Sequence, residues 1–508
     1  MSTLRNNRIL FGLLATVPAL LLLCSGYVVP TVQTLYASFT DASLLRDGTK
    51  SVGLNNYDAV LRAFGDGLTL DLRLVVGVLA IALLLGGGLG FLAHKAGRWG
   101  RRLVYAVFAL PLAAALAPFV QAMSWVGGPV EDLRMRPVEQ MLIAGFGALV
   151  ALGAITVMLA ARGGLGAILV AAGTLAGSLV AVASQAFSFA VLGIPTGLPA
   201  LTIYTFAFRT GRLGVASAAS VLLLIPLMVL GIGVTLLLIL TRTRIAPAAQ
   251  APAAQAPAAQ TGGWLGGTGA AVVVLGLASL AGLVVWLPRL VEFGDPGNLG
   301  THLANTWLPP LVSTVVGICA AALAGFGIGG LRPFGDRSEL LLLPFAPWLF
   351  VGLAPLMTAY WDHSLLRDAP AFFRLLTPGS LVIPVLVGST LLFRGLAELP
   401  AAKVFAIAGP LLGAAAYVVW VLRAQQPLWA LLTVNEPAQQ TMPVSAFTRM
   451  FAYGTRTGTG TAGWVYPLPI YLISAAVIAV VLILVVDRLT VRTGRAPARP
   501  IESEGDQV

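Results

Sequence analysis

Charge is what this 508-residue chain has least of: 31 Lys and Arg and 20 Asp and Glu make up only 10% of it. A soluble domain carries roughly 25%, so the composition excludes an ordinary water-soluble globule. Cysteine is nearly absent too. Cys24 and Cys319 lie far apart inside apolar runs with no Cys-x-x-Cys spacing. That excludes a disulfide framework or a thiolate metal site and leaves both as packing residues. The three histidines, His94, His302 and His363, have no ligand-spaced partners, so no metal or cofactor is expected. A nucleotide-hydrolysis motif is also missing. Gly86-Gly87-Gly88-Leu89-Gly90 lies in an apolar run without the Lys-Ser/Thr of a phosphate loop, and reads as close helix packing or a kink. No catalytic constellation appears, and the chain is not expected to be an enzyme.

What is present is apolar sequence: 58% hydrophobic, with a mean hydropathy of +0.90. Repeated apolar runs of about 20 residues predict a polytopic helical membrane protein, and 57 glycines suit close helix contact. The fold class is all-α, with about 12 transmembrane helices. The runs lie at 9–29, 72–93, 103–126, 138–160, 165–192, 213–240, 266–287, 306–330, 338–361, 377–396, 404–424 and 468–487. The first is longer than a signal-peptide core and lacks an Ala-x-Ala site, so it reads as a retained span. The net charge of +11 reads as topology rather than nucleic-acid binding, with Arg98, Arg101 and Arg102 as membrane-flanking anchors.

Midway the composition changes. Ile245 to Thr261 holds three tandem copies of Ala-Pro-Ala-Ala-Gln. Proline at every fifth position forbids a stable helix, so this is a semi-extended linker. It separates residues 1–244 from 262–488, six apolar runs on each side. Residues 489–508 read as a disordered polar tail. An even number of spans per side puts the linker and both termini on one face. The basic hairpin His94–Arg102 and the basic tail make that face cytoplasmic.

The two sides repeat. Gly90-Phe91 corresponds to Gly325-Phe326, Gly100 to Gly335 and Arg102 to Arg337, all at an offset of 235, and Ala117-Pro118 corresponds to Ala354-Pro355 two residues later. Equal span numbers starting on the same face imply two parallel six-helix repeats with a pathway at their interface.

After the first run come Pro30-Thr31-Val32-Gln33-Thr34-Leu35-Tyr36-Ala37-Ser38-Phe39 and Val52-Gly53-Leu54-Asn55-Asn56-Tyr57. Tyr204-Thr205-Phe206-Ala207-Phe208 and Gly214-Val215-Ala216-Ser217-Ala218 precede or open the last run of that side. The other side has Asn305-Thr306, Phe334-Gly335-Asp336-Arg337 and Thr441-Met442-Pro443-Val444. In this order the motifs resemble the paired permease subunits of binding-protein-dependent carbohydrate ABC importers of the maltose-transporter type, here fused in one chain. The resemblance implies a bacterial cytoplasmic membrane protein that moves a sugar by alternating access. It also implies ABC ATPase subunits and an extracytoplasmic solute-binding protein as partners. One departure stands out. The family's cytoplasmic helix pair that docks the ATPase belongs between spans 4 and 5 of each unit. Here those places hold only Ala161-Arg162-Gly163-Gly164 and residues 397–403, too short for such a pair. This puts ATPase coupling in doubt. The alternative is a permease-derived protein without coupling, acting as an assembly, regulatory or scaffold subunit.

Polar and aromatic residues near the ends of spans are the substrate-path candidates: Gln121, Ser124, Trp125, Ser184, Gln185, Ser188, Tyr360, Trp361 and Trp420. Interhelical hydrogen bonding or an interfacial aromatic belt accounts for them equally well. Arg423 reads as a side chain that snorkels to the surface. The ATPase-contact candidates are Arg98, Arg101, Arg162, Glu398 and Lys403. The long loops 31–71 and 424–467 read as docking sites for a solute-binding protein or as solvated connectors.

Overall fold

The computed structural model describes residues 2–45, 49–126, 137–187, 198–248, 276–278, 280, 283, 287–295, 297–362, 369–434, 436–452 and 461–494. In chain order the principal helices are α1 (Asn7–Ser38), α2 (Leu72–Lys95), α3 (Gly97–Ala114), α4 (Pro118–Val126), α5 (Val138–Gly163), α6 (Leu165–Ser184), α7 (Leu213–Leu240), α8 (Leu299–Leu331), α9 (Ile383–Leu396), α10 (Ala401–Ala424) and α11 (Leu468–Arg488). Eight of these, all but α3, α4 and α9, are long and apolar enough to cross a membrane. The protein is therefore a helical polytopic membrane protein.

Three of the twelve expected spans are broken or shortened. The run 103–126 is broken: α3 ends at Ala114 and α4 starts at Pro118. Proline lacks a backbone donor and keeps the residue before it out of helical geometry. The run 338–361 begins as a 3-10 helix, Gly335–Trp348, loses helical geometry at 351–352 and resumes at Ala354. Pro344, Pro347 and Pro355 each remove one ladder donor there. In place of 377–396 stands α9, which starts at Ile383 and has 14 residues, about 21 Å at 1.5 Å per residue. The run 266–287 lies mostly outside the described residues. The run 165–192 ends as helix at Ser184, and residues 188–192 lie outside the described residues.

Small residues set the closest helix crossings. A Cβ on Gly90 of α2 would lie 2.8 Å from the Cα of Ala154 on α5, and one on Gly325 of α8 would lie 2.8 Å from the Cβ of Ser389 on α9. At Gly90 the backbones approach to a distance any larger residue would forbid. The 235-residue offset relates both partners of the first crossing to both partners of the second.

At one end of the bundle, the chain just after α7 and the chain just after α11 meet as an antiparallel pair. Strand β1 (Arg244–Pro247) and strand β2 (Leu489–Arg492) align Arg244 with Arg492, Ile245 with Val491, Ala246 with Thr490 and Pro247 with Leu489. Ala248 extends the pairing, its N–H donating to the Arg488 carbonyl at 2.8 Å. The ribbon is a small addition to a fold that is otherwise helical: β1 includes the first three residues of the linker, and β2 includes four residues read as tail. Four-residue strands leave too little alternation to register against long apolar runs. A lone two-stranded ribbon is marginal by itself, and this one is held on both sides. The Ile245 carbonyl abuts Gly395 of α9, and the Val491 carbonyl abuts Gly163 of α5. Linker residues 249–261 and tail residues 495–508 lie outside the described residues.

Candidate functional site

The motifs on the far side of the bundle from the ribbon converge in space. Asn56 Nδ2 donates to the carbonyls of Ser38 at 3.0 Å and Thr40 at 2.7 Å. The Ser38 hydroxyl and the Tyr57 phenol lie 2.7 Å apart, and the Tyr57 ring leans on Phe39 at 5.7 Å. Gly214, at the start of α7, sits directly against the Thr40 carbonyl. Three segments separated by up to about 175 residues of chain thus form one polar corner. After the linker a similar corner forms. Met442 N–H donates to Thr306 Oγ1 at 2.8 Å, and Asn305 Nδ2 donates to the Gln439 carbonyl at 2.6 Å.

The broken helices lie where the two sides of the chain touch, and each break is capped from across that contact. Gln185, just past the end of α6, spans the break in 335–362. Its Nε2 donates to the Phe350 carbonyl at 2.8 Å, and its Oε1 accepts from Gly352 N–H at 2.7 Å. One side-chain amide therefore satisfies two backbone groups that the lost helical turn leaves unpaired. At the α3–α4 break, the Tyr466 hydroxyl donates to the Ala113 carbonyl at 3.1 Å. Burial holds the Tyr466 phenol above its ordinary pKa, so it remains a donor at any physiological pH.

From the same contact an aromatic ladder runs Phe187, Tyr204, Phe208, Trp361, with centroid spacings of 5.5, 5.7 and 5.9 Å. Burial raises the Tyr204 phenol, an effect the nearby Arg209 guanidinium opposes. A second aromatic group ties α1 to the 379–381 turn. The Tyr27 hydroxyl donates to the Leu381 carbonyl at 2.9 Å, and the Tyr360 hydroxyl donates to the Gly26 carbonyl. Tyr360 also meets Trp429 edge-on at 6.2 Å.

Beside this group is a small cavity of about 20 Å³, lined by Asn305, Thr377, Arg423, Gln426, Trp429 and Thr441 among others. Arg423 Nη2 donates to the Ser380 carbonyl at 2.8 Å. The guanidinium is therefore turned onto the 379–381 turn, rather than outward as a snorkelling side chain would be.

The ribbon end carries the charge. Asp487, 7% exposed at its side chain, faces Arg101 at 2.9 Å, Arg162 at 3.6 Å and Arg102 at 3.8 Å. Arg162 Nη1 also donates to the Asp487 carbonyl at 2.7 Å. On the other side Glu339 pairs with Arg394, both 8% exposed, and Arg394 Nη1 donates to the Thr243 carbonyl at 3.4 Å.

Among the described residues, the expected path residues occupy separate places. Gln185, Tyr360, Trp361 and Trp420 are all engaged in the packing between segments, Trp420 by donating to the Trp307 carbonyl at 2.9 Å. Ser184 donates to the Val180 carbonyl of its own helix at 2.9 Å. Gln121 is buried on α4. Ser124 and Trp125 belong to α4, but their side chains lie outside the described residues, as does Ser188. Among the ATPase-contact candidates, Arg98, Glu398 and Lys403 are exposed. Arg101 and Arg162 are committed to Asp487 because a nearly buried carboxylate needs cationic partners. Sequence reasoning passed over Asp487 and Glu339. An acid at the end of an apolar run, with arginines near other run ends, was the available signal. No family model matches this chain, and no curated protein matches it.

Proposed function

We propose that the chain is two permease-like units fused in one polypeptide, forming the translocating component of a solute importer of the carbohydrate ABC type. In this reading it spans the bacterial cytoplasmic membrane by alternating access, with the ribbon face and both termini in the cytoplasm. Twelve spans in two parallel repeats are the full architecture proposed, the broken segments 103–126 and 338–361 being corresponding third spans. One observation carries the reading: the two sides engage each other in matching fashion. The Arg162-Gly163 pair at the end of α5 receives β2 from the second side, and the Arg394-Gly395 pair at the end of α9 receives β1 from the first. Ile245 and Val491, the two residues seated on those glycines, also pair with each other in the ribbon. Reciprocity of this kind is what a two-fold relation between related units produces. The meeting of Ser38, Asn56, Tyr57 and Gly214 on one side, and of Asn305, Thr306 and Met442 on the other, supports the same reading. ATP would be hydrolysed by separate subunits, and a solute-binding protein would deliver the solute.

A specific observation favours a second reading, a permease-derived scaffold or regulatory subunit without ATPase coupling. α5 closes in the three-residue 3-10 turn Ala161–Gly163, and only Gly164 separates it from α6. That turn is also occupied by β2 and by the Asp487 ion pairs. Affinity purification of the tagged chain from its own host at native expression separates the two readings. The importer reading expects an ATPase to copurify, with hydrolysis stimulated by solute. Recovery of the intact chain with no nucleotide-hydrolysing partner would select the scaffold.

A further inference from the structure

Two of the buried polar atoms that lack hydrogen-bond partners among the described residues belong to side chains lining the cavity beside Trp429. Arg423 lies one residue before the end of α10. Its Nη2 is used on Ser380, but its Nη1 is buried and has no hydrogen-bond partner. No carboxylate forms an ion pair with Arg423 among the described residues, in contrast to Arg101, Arg162 and Arg394. Thr441, 6% exposed, lines the same cavity, and its Oγ1 is likewise buried without a partner. The neighbouring Thr306 hydroxyl is already spent, donating to the His302 carbonyl and accepting from Met442 N–H. Two residues that line the cavity thus carry unused polar groups: a guanidinium with a spare donor and a hydroxyl. A buried guanidinium without a counter-charge is costly, and it pairs best with a planar or tetrahedral oxyanion. A volume of about 20 Å³ admits one such group and excludes a sugar ring, since a single water already requires roughly 10–15 Å³.

We propose that Arg423 and Thr441 form a receptor for a single oxyanion group, carboxylate or phosphate, presented by a larger molecule. Resting on the permease reading, this makes the transported solute an acid-bearing sugar whose ring lies against the nearby aromatic residues, outside the cavity. The same chemistry in a lipid phosphate would make the receptor a headgroup site instead.

The test uses the full chain in nanodiscs, with Trp fluorescence as the readout and D-glucuronate, inorganic phosphate and D-glucose as probes. In phosphatidylcholine discs, glucuronate or phosphate is expected to give a saturable change and glucose none. Arg423→Gln is expected to weaken that binding tenfold or more, the scale of one lost charge-assisted contact. Arg423→Lys should retain part of it, and Thr441→Val should weaken it severalfold. If Arg423→Gln does not fold, the Thr441→Val series decides. Competition by phosphatidylglycerol discs against the soluble anions supports the receptor and assigns its ligand to lipid. Equal responses to glucose and glucuronate, or unchanged anion binding in a folded Arg423→Gln protein, overturn the proposal. Uptake of a neutral sugar without anion binding would sink this inference alone. Anion binding with no uptake and no ATPase partner would sink the permease reading and leave the receptor standing.

Discussion

The two sides of the chain hold their arginine-glycine turns in different ways. At Gly163 the acid that neutralises Arg162 is Asp487, which arrives from the other side of the chain together with β2. At Gly395 the acid is Glu339, from the same side as its arginine, and β1 contributes backbone and the apolar Ile245 side chain but no acid. The first turn is therefore a joint between the two sides in both charge and backbone. The second is internally neutral and receives its strand as a docking partner alone. One backbone arrangement thus coexists with two electrostatic solutions, and only the first makes the end of the chain a structural part of the beginning.

That contrast can be broken directly. The largest effect is expected from the acids. Glu339→Gln and Asp487→Asn each leave buried arginine without its counter-ion, costing about 3–5 kcal/mol, measured as a lowered melting temperature in detergent. Only Asp487→Asn should release residues 488–494, seen as faster amide exchange there. If both variants loosened the ribbon equally, the distinction between the two joints would fail. Next are the glycines. Gly163→Ala and Gly395→Ala both drive a methyl into a strand carbonyl, and each is expected to cost about 1–3 kcal/mol. Similar losses would sharpen the two-fold relation; a loss at one position alone would break it. Gln185→Leu strips both partners from the break at Phe350–Gly352 and is expected to cost about 1–3 kcal/mol, with faster exchange at Gly352. The smallest effect belongs to the linker. Removing one Ala-Pro-Ala-Ala-Gln copy from within 249–261 leaves β1 intact, and stability is expected to stay within about 0.5 kcal/mol.

Much of the fold was legible because long apolar runs have few other uses. Eight of the expected spans correspond to helices long and apolar enough to cross a membrane, and the failures at 103–126 and 338–361 coincide with Pro118, Pro344, Pro347 and Pro355, where a missing donor overrides hydropathy. The ribbon was not legible. Ile245–Pro247 looked like the start of a proline-rich spacer, and Leu489–Arg492 looked like a basic tail; only their pairing gives either a structure. The site was legible in part. Gln185 and Tyr360 stood out as polar groups in apolar surroundings, yet they bond to backbone across the contact between the two sides. A hydropathy pattern cannot distinguish a polar group that faces a path from one that caps a broken helix. Arg423 was visible too, but its unused donor is a property of three-dimensional neighbours on α8, the 379–381 turn and the segment before Met442.

On the reading proposed above, the ribbon face would meet an ATPase subunit through connections too short for a coupling helix pair. Site-specific photo-crosslinking from the exposed positions Arg98, Glu398 and Lys403, in native membranes with mass-spectrometric identification, tests it most directly. The account expects adducts to a nucleotide-hydrolysing subunit from Glu398 and Lys403, strengthened by non-hydrolysable ATP. Efficient crosslinking at all three positions without any such subunit would contradict it.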